Sequence, residues 1–323
     1  MGRIERLKEA HLSLEQAKYR TVKGLSIWDH GDYSGEPIVV RKARGLALLL
    51  EETPAIILDD ELIIGLRTIY GPIEDGMNIL GGYAEVPVNP ATRHGLFAYP
   101  LYLTDGERVE AEAAGIREGS CTSHVPYGGE KLMTLGFGGI EEQARKRLEE
   151  LEADSPRDHA GIDVLQAAII TLQASTRFVS KHADEAARLA QETGDPERRA
   201  ELKEISEICR WVSSNPPRSF HEAVQLYWLA TVVTNCENQG FIPLGRIDQD
   251  LGPILERDLE KGVIPRDEAL ELLECLWIKL NIDDDLTTDS CRNIMLSGQD
   301  SEGRDATNEL TYLCLEASAN LRL

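Results

Sequence analysis

The sequence is poor in aromatic residues and has no long apolar run. Only 6% of its 323 residues are Phe, Trp or Tyr, although 42% are hydrophobic and 28% are charged. No stretch approaches the roughly 18 consecutive apolar residues that a membrane-spanning helix needs. The hydrophobic fraction still suffices for a sizeable core and argues against wholesale disorder. The length fits one large domain or two ordinary ones.

Cysteines with metal-ligand or disulfide spacing are also missing. The six cysteines are scattered, and no two form a C-x-x-C pair: Cys121, Cys209, Cys236, Cys275, Cys291 and Cys314. This pattern argues against a zinc knuckle and against a disulfide framework, so we expect no bound metal. The N-terminal segment MGRIERLKEAHLSLEQ is charged throughout and lacks an apolar core, so no signal peptide is expected. A reducing cytoplasm fits both observations.

Basic residues are scarce relative to acidic ones. Asp and Glu number 56 against 34 Lys and Arg, which gives a formal net charge of −22. Such a chain repels phosphate backbones and anionic lipid. We therefore expect neither a nucleic-acid partner nor a membrane partner.

Helix signals dominate what is present. Apolar residues recur at spacings of three and four, and Pro, Gly and S-x-x-E boxes mark where the pattern starts and stops. The predicted helices cover residues 165–190, 197–213, 219–233, 265–280 and 305–319. The fold class is therefore expected to be α/β with a predominance of helix.

Strand signals are few. Short apolar runs at 55–58 and 62–64 flank an acidic turn, and a third run at 294–296 precedes the last helix, which predicts the start of a βα alternation. The stretch 71–123 mixes Gly, Pro and aromatics and is predicted to be irregular. The sequence ends where a further strand would follow, and an unfinished sheet edge is unfavourable. We therefore expect a truncated polypeptide.

Five segments stand out in the order EPIVVRKARGLALLLEETPAIILDDELIIG (36–65), HVPYGGEKLMTLGFGGI (124–140), NPPRSFHEAVQLYWL (215–229), GRIDQDL (245–251) and SGQDSEGRDATNELTYLCLEA (297–317). Taken in this order, they resemble the pyruvate formate-lyase domain of glycyl radical enzymes. The resemblance spans nearly the whole chain. It implies that residues 1–323 form the N-terminal portion of this domain, with the C-terminal glycine radical domain absent. The implied fold is an incomplete part of the family's ten-stranded β/α barrel.

The resemblance also implies a radical chemistry. In the family, a glycyl radical takes a hydrogen atom from the thiol of a cysteine in a Gly-Cys-x-Glu loop and leaves a thiyl radical there, and both residues are expected beyond residue 323. No catalytic residue is therefore assigned within this chain, and no cofactor is expected to bind it. The radical would be installed by an iron–sulfur activating enzyme that uses S-adenosylmethionine. A small-molecule substrate and a homodimer are compatible with the family.

Four residues are predicted to contact substrate through this resemblance. His124 matches a family histidine that contacts a substrate hydroxyl, and Gln239, Phe241 and Ile242 match a stretch that borders the pocket. A histidine in such a position is able to hydrogen-bond or to transfer a proton. The alternative for His124 is a loop histidine bonded to backbone. For Arg246 and Asp248 we favour a structural role, as an ion pair or as helix-start contacts.

Cys314 has the C-x-E spacing of the family's thiyl cysteine, because Glu316 follows it. Tyr and Leu precede it rather than glycine, so we predict a small core residue inside the last helix. Cys236, at the end of an apolar helix, is likewise predicted to be packing.

The motif Gly-Arg-Ile-Asp-Gln at 245–249 resembles the lyase and dehydratase branch of the family. The first hypothesis is therefore a fragment of a lyase or dehydratase that acts on a small polar substrate by thiyl-radical hydrogen abstraction. One alternative is a formate C-acetyltransferase-like acyltransferase. Another is a non-catalytic split chain that needs a complementary half. A third is an unrelated helical enzyme that uses Cys314 and His124.

Overall fold

Within the part of the chain that the structure describes, the fold is an assembly of helices with two isolated β-bridges. The computed structural model describes residues 2–14, 27, 30–65, 104–115, 128–155, 158–236, 244–281 and 294–323. The helices within these residues are α1 (Arg3–Leu14), α2 (Ile38–Glu52), α3 (Asp105–Ala113), α4 (Gly129–Glu149), α5 (His159–Glu192), α6 (Pro196–Val212), α7 (Phe220–Cys236), α8 (Ile247–Glu260), α9 (Arg266–Asn281) and α10 (Glu309–Leu321). None of these helices is long and apolar enough to cross a membrane.

Helices α5 and α6 are the two successive helices that the sequence predicts, and they pack against each other. The apolar stripe of α5 ends with buried Ala183, Ala186 and Ala190, whose small side chains permit close approach of α6. Pro196 occupies the first position of α6, and the Asp195 side chain accepts a 2.9 Å hydrogen bond from the Glu197 backbone nitrogen. Fixed φ and a side-chain cap both favour a helix start at this point.

Helix α7 lies at the centre and joins two groups of helices. Helices α2, α4, α5 and α6 pack together on one side, whereas α8, α9 and α10 pack together on the other. Most side chains of α7 are fully buried, among them Phe220, Leu226 and Leu229. A helix that is apolar all round is expected at such a central position.

Helix α3 corrects the prediction of irregular structure over 71–123, of which the described residues include only 104–115. Thr104 and Glu107 cap its first turn reciprocally: the Thr104 hydroxyl accepts from the Glu107 nitrogen at 3.2 Å, and the Glu107 carboxylate accepts from the Thr104 nitrogen at 2.8 Å. The T-x-x-E spacing of a capping box was therefore visible in the sequence. The Arg41 guanidinium and the Thr104 backbone lower the pKa of Glu107 to about 2 and tie α3 to α2.

The strands predicted at 55–58 and 62–64 are wrong, because neither segment has a strand partner in the described structure and residues 62 and 63 form a bend. The third predicted run is paired: Ile294 forms a parallel bridge with Gly245, and the Met295 nitrogen donates to the Gly245 oxygen at 3.0 Å. Helix α10 follows this run, with Asn308 and Thr311 forming its capping box. This order agrees with the predicted βα alternation.

A kink at Gly136 lets α4 receive the segment that follows α6. Gly136 has φ 63° and ψ 177°, and a Cβ there would lie 2.4 Å from the Asn215 carbonyl carbon. Two residues on, the Gly138 nitrogen donates to the Ser214 oxygen at 2.8 Å. The GFGG sequence at 136–139 is thus a backbone docking point.

We predict that Gly136→Ala lowers the free energy of unfolding by about 3 kcal/mol or more, because a strained φ adds to an overlap with backbone. Urea unfolding followed by far-UV circular dichroism measures the change. Gly194→Ala is the control, since a Cβ at Gly194 meets nothing within 4 Å and its φ is not positive. Equal losses in the two variants would contradict the docking role of Gly136.

Candidate functional site

The residues predicted to contact substrate lie outside the described structure. His124, Gln239, Phe241 and Ile242 all fall in segments that the structure does not describe. Cys121 and Cys291 do so as well. The described residues that flank these segments are Gly128, Cys236 and Leu244, and their surroundings define the candidate site.

The flanking residues converge on α7 and α8. The Tyr227 hydroxyl, on α7, hydrogen-bonds the Leu244 carbonyl oxygen and lies 3.2 Å from Oδ2 of Asp250 on α8. Asp250 in turn packs against Gly129, the first residue of α4. Chain positions 129, 227, 244 and 250 therefore meet in one place.

Arg246 and Asp248 have the structural role that was predicted for them. They make contacts at the start of α8 and do not pair with each other. Arg246 donates to the backbone oxygens of Ser297 and Gln299, the latter at 3.1 Å. Asp248 is fully buried, and its Oδ2 accepts from the Ser297 nitrogen and from the Thr311 hydroxyl, both at 2.6 Å. These contacts lock the start of α8 to the segment 294–299 and to α10.

A buried ion pair lies on the opposite side of α7. Lys279 of α9 contacts the Glu61 carboxylate, and each side chain is 3% exposed. Burial raises the pKa of Glu61 and lowers the pKa of Lys279, because loss of hydration opposes both charges more than their attraction supports them. The burial of Lys279 could not be predicted from the sequence, since a lysine between Ile278 and Leu280 gives no local sign of it.

The backbone of the E-L-I-x-G segment, Glu61–Gly65, is hydrogen-bonded by side chains from neighbouring helices. Gln225 accepts from the Ile64 nitrogen at 2.8 Å and donates to the Ile64 oxygen at 2.9 Å. The Trp228 indole donates to the Gly65 oxygen at 2.8 Å, and Arg198 donates to the Glu61 oxygen at 2.8 Å. Buried backbone groups need such partners when no strand supplies them.

His182 lies next to this segment and is held neutral. It is fully buried, and its Nδ1 is 2.9 Å from the Phe178 carbonyl oxygen. Burial, followed by the charges of Lys181 and Lys279, lowers the pKa of His182 to about 4. The ring is therefore uncharged near neutral pH.

The described cysteines are packing residues, which confirms the prediction for Cys314 and Cys236. Both are buried within or at the end of a helix. Burial raises the pKa of Cys314, Cys209 and Cys275 to about 12, so their reactive thiolate forms are disfavoured. Within the described part of the chain no three His, Cys, Asp or Glu side chains are grouped as a metal site would require.

Comparison with known proteins gives the family. Residues 109–323, more than half of the chain, match "Pyruvate formate lyase-like". The chain belongs to this family. It is 39% identical over 208 residues to the isethionate sulfite-lyase of Nitratidesulfovibrio vulgaris, which covers 60% of this chain and 25% of that protein.

Two solved structures share the fold. The B12-independent glycerol dehydratase from Clostridium butyricum, in its glycerol-bound form, superposes with a TM-score of 0.78 and 27% identity over 99% of this chain and 46% of that one. A glycyl radical enzyme from Archaeoglobus fulgidus gives a TM-score of 0.76 and 29% identity over 100% of this chain and 47% of that one. The chain spans about a quarter of the curated relative and just under half of the solved structures. The described fold is thus part of a glycyl radical enzyme barrel, as the sequence predicted.

We predict that Lys279→Met destabilises the fold by roughly 3–5 kcal/mol, because it leaves the Glu61 charge buried without a partner. Glu61→Gln combined with Lys279→Met should recover a large part of this loss, since glutamine still accepts from the Leu58 nitrogen and carries no charge. Denaturant unfolding of the single and double variants measures the difference. Lys146→Met is the control, because Lys146 and Glu142 are 67% and 66% exposed, and it should change the midpoint little. A double variant as unstable as Lys279→Met would contradict the buried-charge explanation.

His182 predicts a pH dependence of stability. Its pKa of about 4 in the folded state lies below the usual 6.5, so the unfolded chain binds more protons between these values. Stability from this residue is therefore complete above about pH 6.5 and is lost as the pH falls towards 4, by about 3 kcal/mol in total. We expect His182→Gln to remove this part of the pH dependence in unfolding measured from pH 4 to 7. His159→Gln, an exposed change on the same helix, should retain it; parallel profiles for wild type and His182→Gln would contradict the assignment.

Proposed function

We propose that this chain forms the N-terminal part of a glycyl radical lyase or dehydratase that acts on a small polar substrate. The observation that carries the proposal is the family match over residues 109–323, together with a fold shared with a glycerol dehydratase over 99% of the chain. The contacts of Arg246 and Asp248 support this proposal. Their motif, residues 245–249, resembles the lyase and dehydratase branch and also forms the parallel bridge between Gly245 and Ile294.

In this proposal the chain's own residues bind and orient substrate. His124 contacts a substrate hydroxyl and assists the leaving group as a proton donor, while Gln239, Phe241 and Ile242 line the pocket. A thiyl radical supplies hydrogen abstraction, and the cysteine and glycine it needs follow position 323 in family order. An iron–sulfur activating enzyme is the proposed partner. Positioning beside the sulfur is the protein's main contribution to such a reaction.

The test is to express the native locus that contains this chain and to activate its product without oxygen. We expect a glycyl radical signal in electron paramagnetic resonance, and turnover of isethionate, glycerol or 2,3-dihydroxypropane-1-sulfonate, which combines the diol and sulfonate groups. His124→Ala should lower kcat/KM by about 100-fold while the radical signal remains, because it removes one acid–base group. Cys314→Ala is the control and should leave turnover unchanged.

Three results would contradict the proposal. A locus without a Gly-Cys-x-Glu loop and a radical glycine would favour the non-catalytic chain. Formation of acetyl-CoA from pyruvate and coenzyme A would favour the formate C-acetyltransferase-like alternative. Loss of turnover in Cys314→Ala would favour the unrelated enzyme that uses Cys314 and His124.

A further inference from the structure

Two of the segments proposed to bind substrate are followed in the sequence by described residues that contact one pair of side chains, Tyr227 and Asp250. Helix α4 begins at Gly129, five residues after His124, and the described chain resumes at Leu244, five residues after Gln239. Five residues reach at most about 18 Å, so the position of each flanking residue restricts where its segment is able to lie. Both flanking residues contact the pair formed by Tyr227 and Asp250.

Asp250 fixes the start of α4. A Cβ at residue 129 would lie 2.0 Å from Oδ2 of Asp250 and 2.5 Å from its Cγ, so the carboxyl group approaches this closely only because residue 129 is glycine. The Glu130 backbone nitrogen donates to the same carboxyl group. Gly128, at the N-cap of α4, has no side chain to cap the helix. Asp250 therefore supplies from α8 the acceptor that an N-cap side chain would otherwise provide.

Tyr227 fixes Leu244 to the same carboxyl group. The Tyr227 side chain is fully buried, and its hydroxyl donates to the Leu244 carbonyl oxygen while lying 3.2 Å from Oδ2 of Asp250. A hydroxyl has one proton and serves one strong acceptor at a time. Burial raises the pKa of Asp250, and the nearby charges of Glu130 and Asp248 raise it further. The Tyr227 hydroxyl lies within reach of two acceptors, the Leu244 carbonyl oxygen and Oδ2 of Asp250, and so links Leu244 to α8.

We propose that Tyr227 and Asp250 are positioning residues that hold the start of α4 and Leu244 at a fixed separation. They thereby set the distance between Gly129 and Leu244, the described residues that stand five positions after His124 and five positions after Gln239 in the sequence. The link of this inference to substrate rests on the proposed function. The contacts among Gly129, Tyr227, Leu244 and Asp250, which we call the anchor, are observed independently of that function. The two residues act through the segments they hold and do not touch substrate.

The experiment compares two disruptive variants with one conservative variant in the activated enzyme from the native locus. Tyr227→Phe removes the hydroxyl, and Asp250→Ala removes the carboxyl group. Asp250→Asn keeps an acceptor for the Glu130 nitrogen and leaves the hydrogen bond from Tyr227 to Leu244 in place, so it should behave like wild type. In Tyr227→Phe we expect the exchange rate of backbone amide hydrogens to rise about tenfold over residues 244–250. In Asp250→Ala the same rise should extend to residues 128–135. A tenfold change corresponds to the loss of one buried hydrogen bond. KM for whichever of the three substrates turns over should rise about tenfold in both, with a smaller change in kcat.

Ser206→Ala is the matched control. It removes one hydroxyl-to-carbonyl hydrogen bond of 2.8 Å, from α6 to the Ala183 oxygen on α5, away from this place. We expect a loss of stability comparable to that of Tyr227→Phe, without a change in KM or in exchange at 128–135 and 244–250. A rise in KM equal to that of Tyr227→Phe would show that general destabilisation explains the effect and would overturn the inference.

Two further outcomes separate the anchor from the proposed function. If Asp250→Asn is as impaired as Asp250→Ala, the negative charge matters rather than the hydrogen bonds, and the inference fails. If the exchange pattern appears as expected but none of the three substrates turns over, the anchor stands and the proposed function fails. Unchanged exchange in both disruptive variants would remove the anchor whatever the enzyme does.

Discussion

The fold depends on one constraint, which is that the buried backbone of Glu61–Gly65 must be hydrogen-bonded although no strand in the described structure pairs with it. Side chains from three helices meet this need: Arg198 of α6, Gln225 and Trp228 of α7, and Lys279 of α9. Each of these bonds also fixes one helix against the segment. Since an unmatched buried backbone group costs about 1–3 kcal/mol, the segment and the helices around it stabilise one another.

Helix α7 connects the Glu61–Gly65 segment to the candidate site. Gln225 and Tyr227 are two positions apart, which places them about 200° apart around the helix axis, on nearly opposite faces. Gln225 holds Ile64 on one face, and Tyr227 holds Leu244 on the other. The polar side chains of this otherwise apolar helix are therefore placed so that one rigid element fixes two separate chain segments. A change that shifts α7 is expected to move both.

Helices α5, α6, α7, α9 and α10 could be predicted from the sequence because their information is local. Apolar spacing, Pro196 and the Asn308 cap lie within a few residues of the structure they specify. The error at 62–64 has a different cause, since Gln225 hydrogen-bonds Ile64 from 161 residues away and replaces the strand that an apolar run suggested. For the site, the resemblance predicted the structural role of Arg246 and Asp248. It did not predict Asp250 or Lys279, whose roles depend on which distant glycine or carboxylate the fold brings to them.

The motif that carries the resemblance is framework, and this explains how one chain is similar to proteins with different substrates. The Arg246 side chain donates to the backbone oxygens of Ser297 and Gln299, and the Asp248 carboxylate accepts from the Ser297 nitrogen and the Thr311 hydroxyl. The Asp248 carbonyl oxygen accepts from Asn308, the cap of α10. These contacts hold the parallel bridge between Gly245 and Ile294, and none of them involves a substrate. Similarity to an isethionate sulfite-lyase and to a glycerol dehydratase thus reports a shared scaffold. Substrate choice then has to come from side chains that the scaffold presents rather than from those that build it.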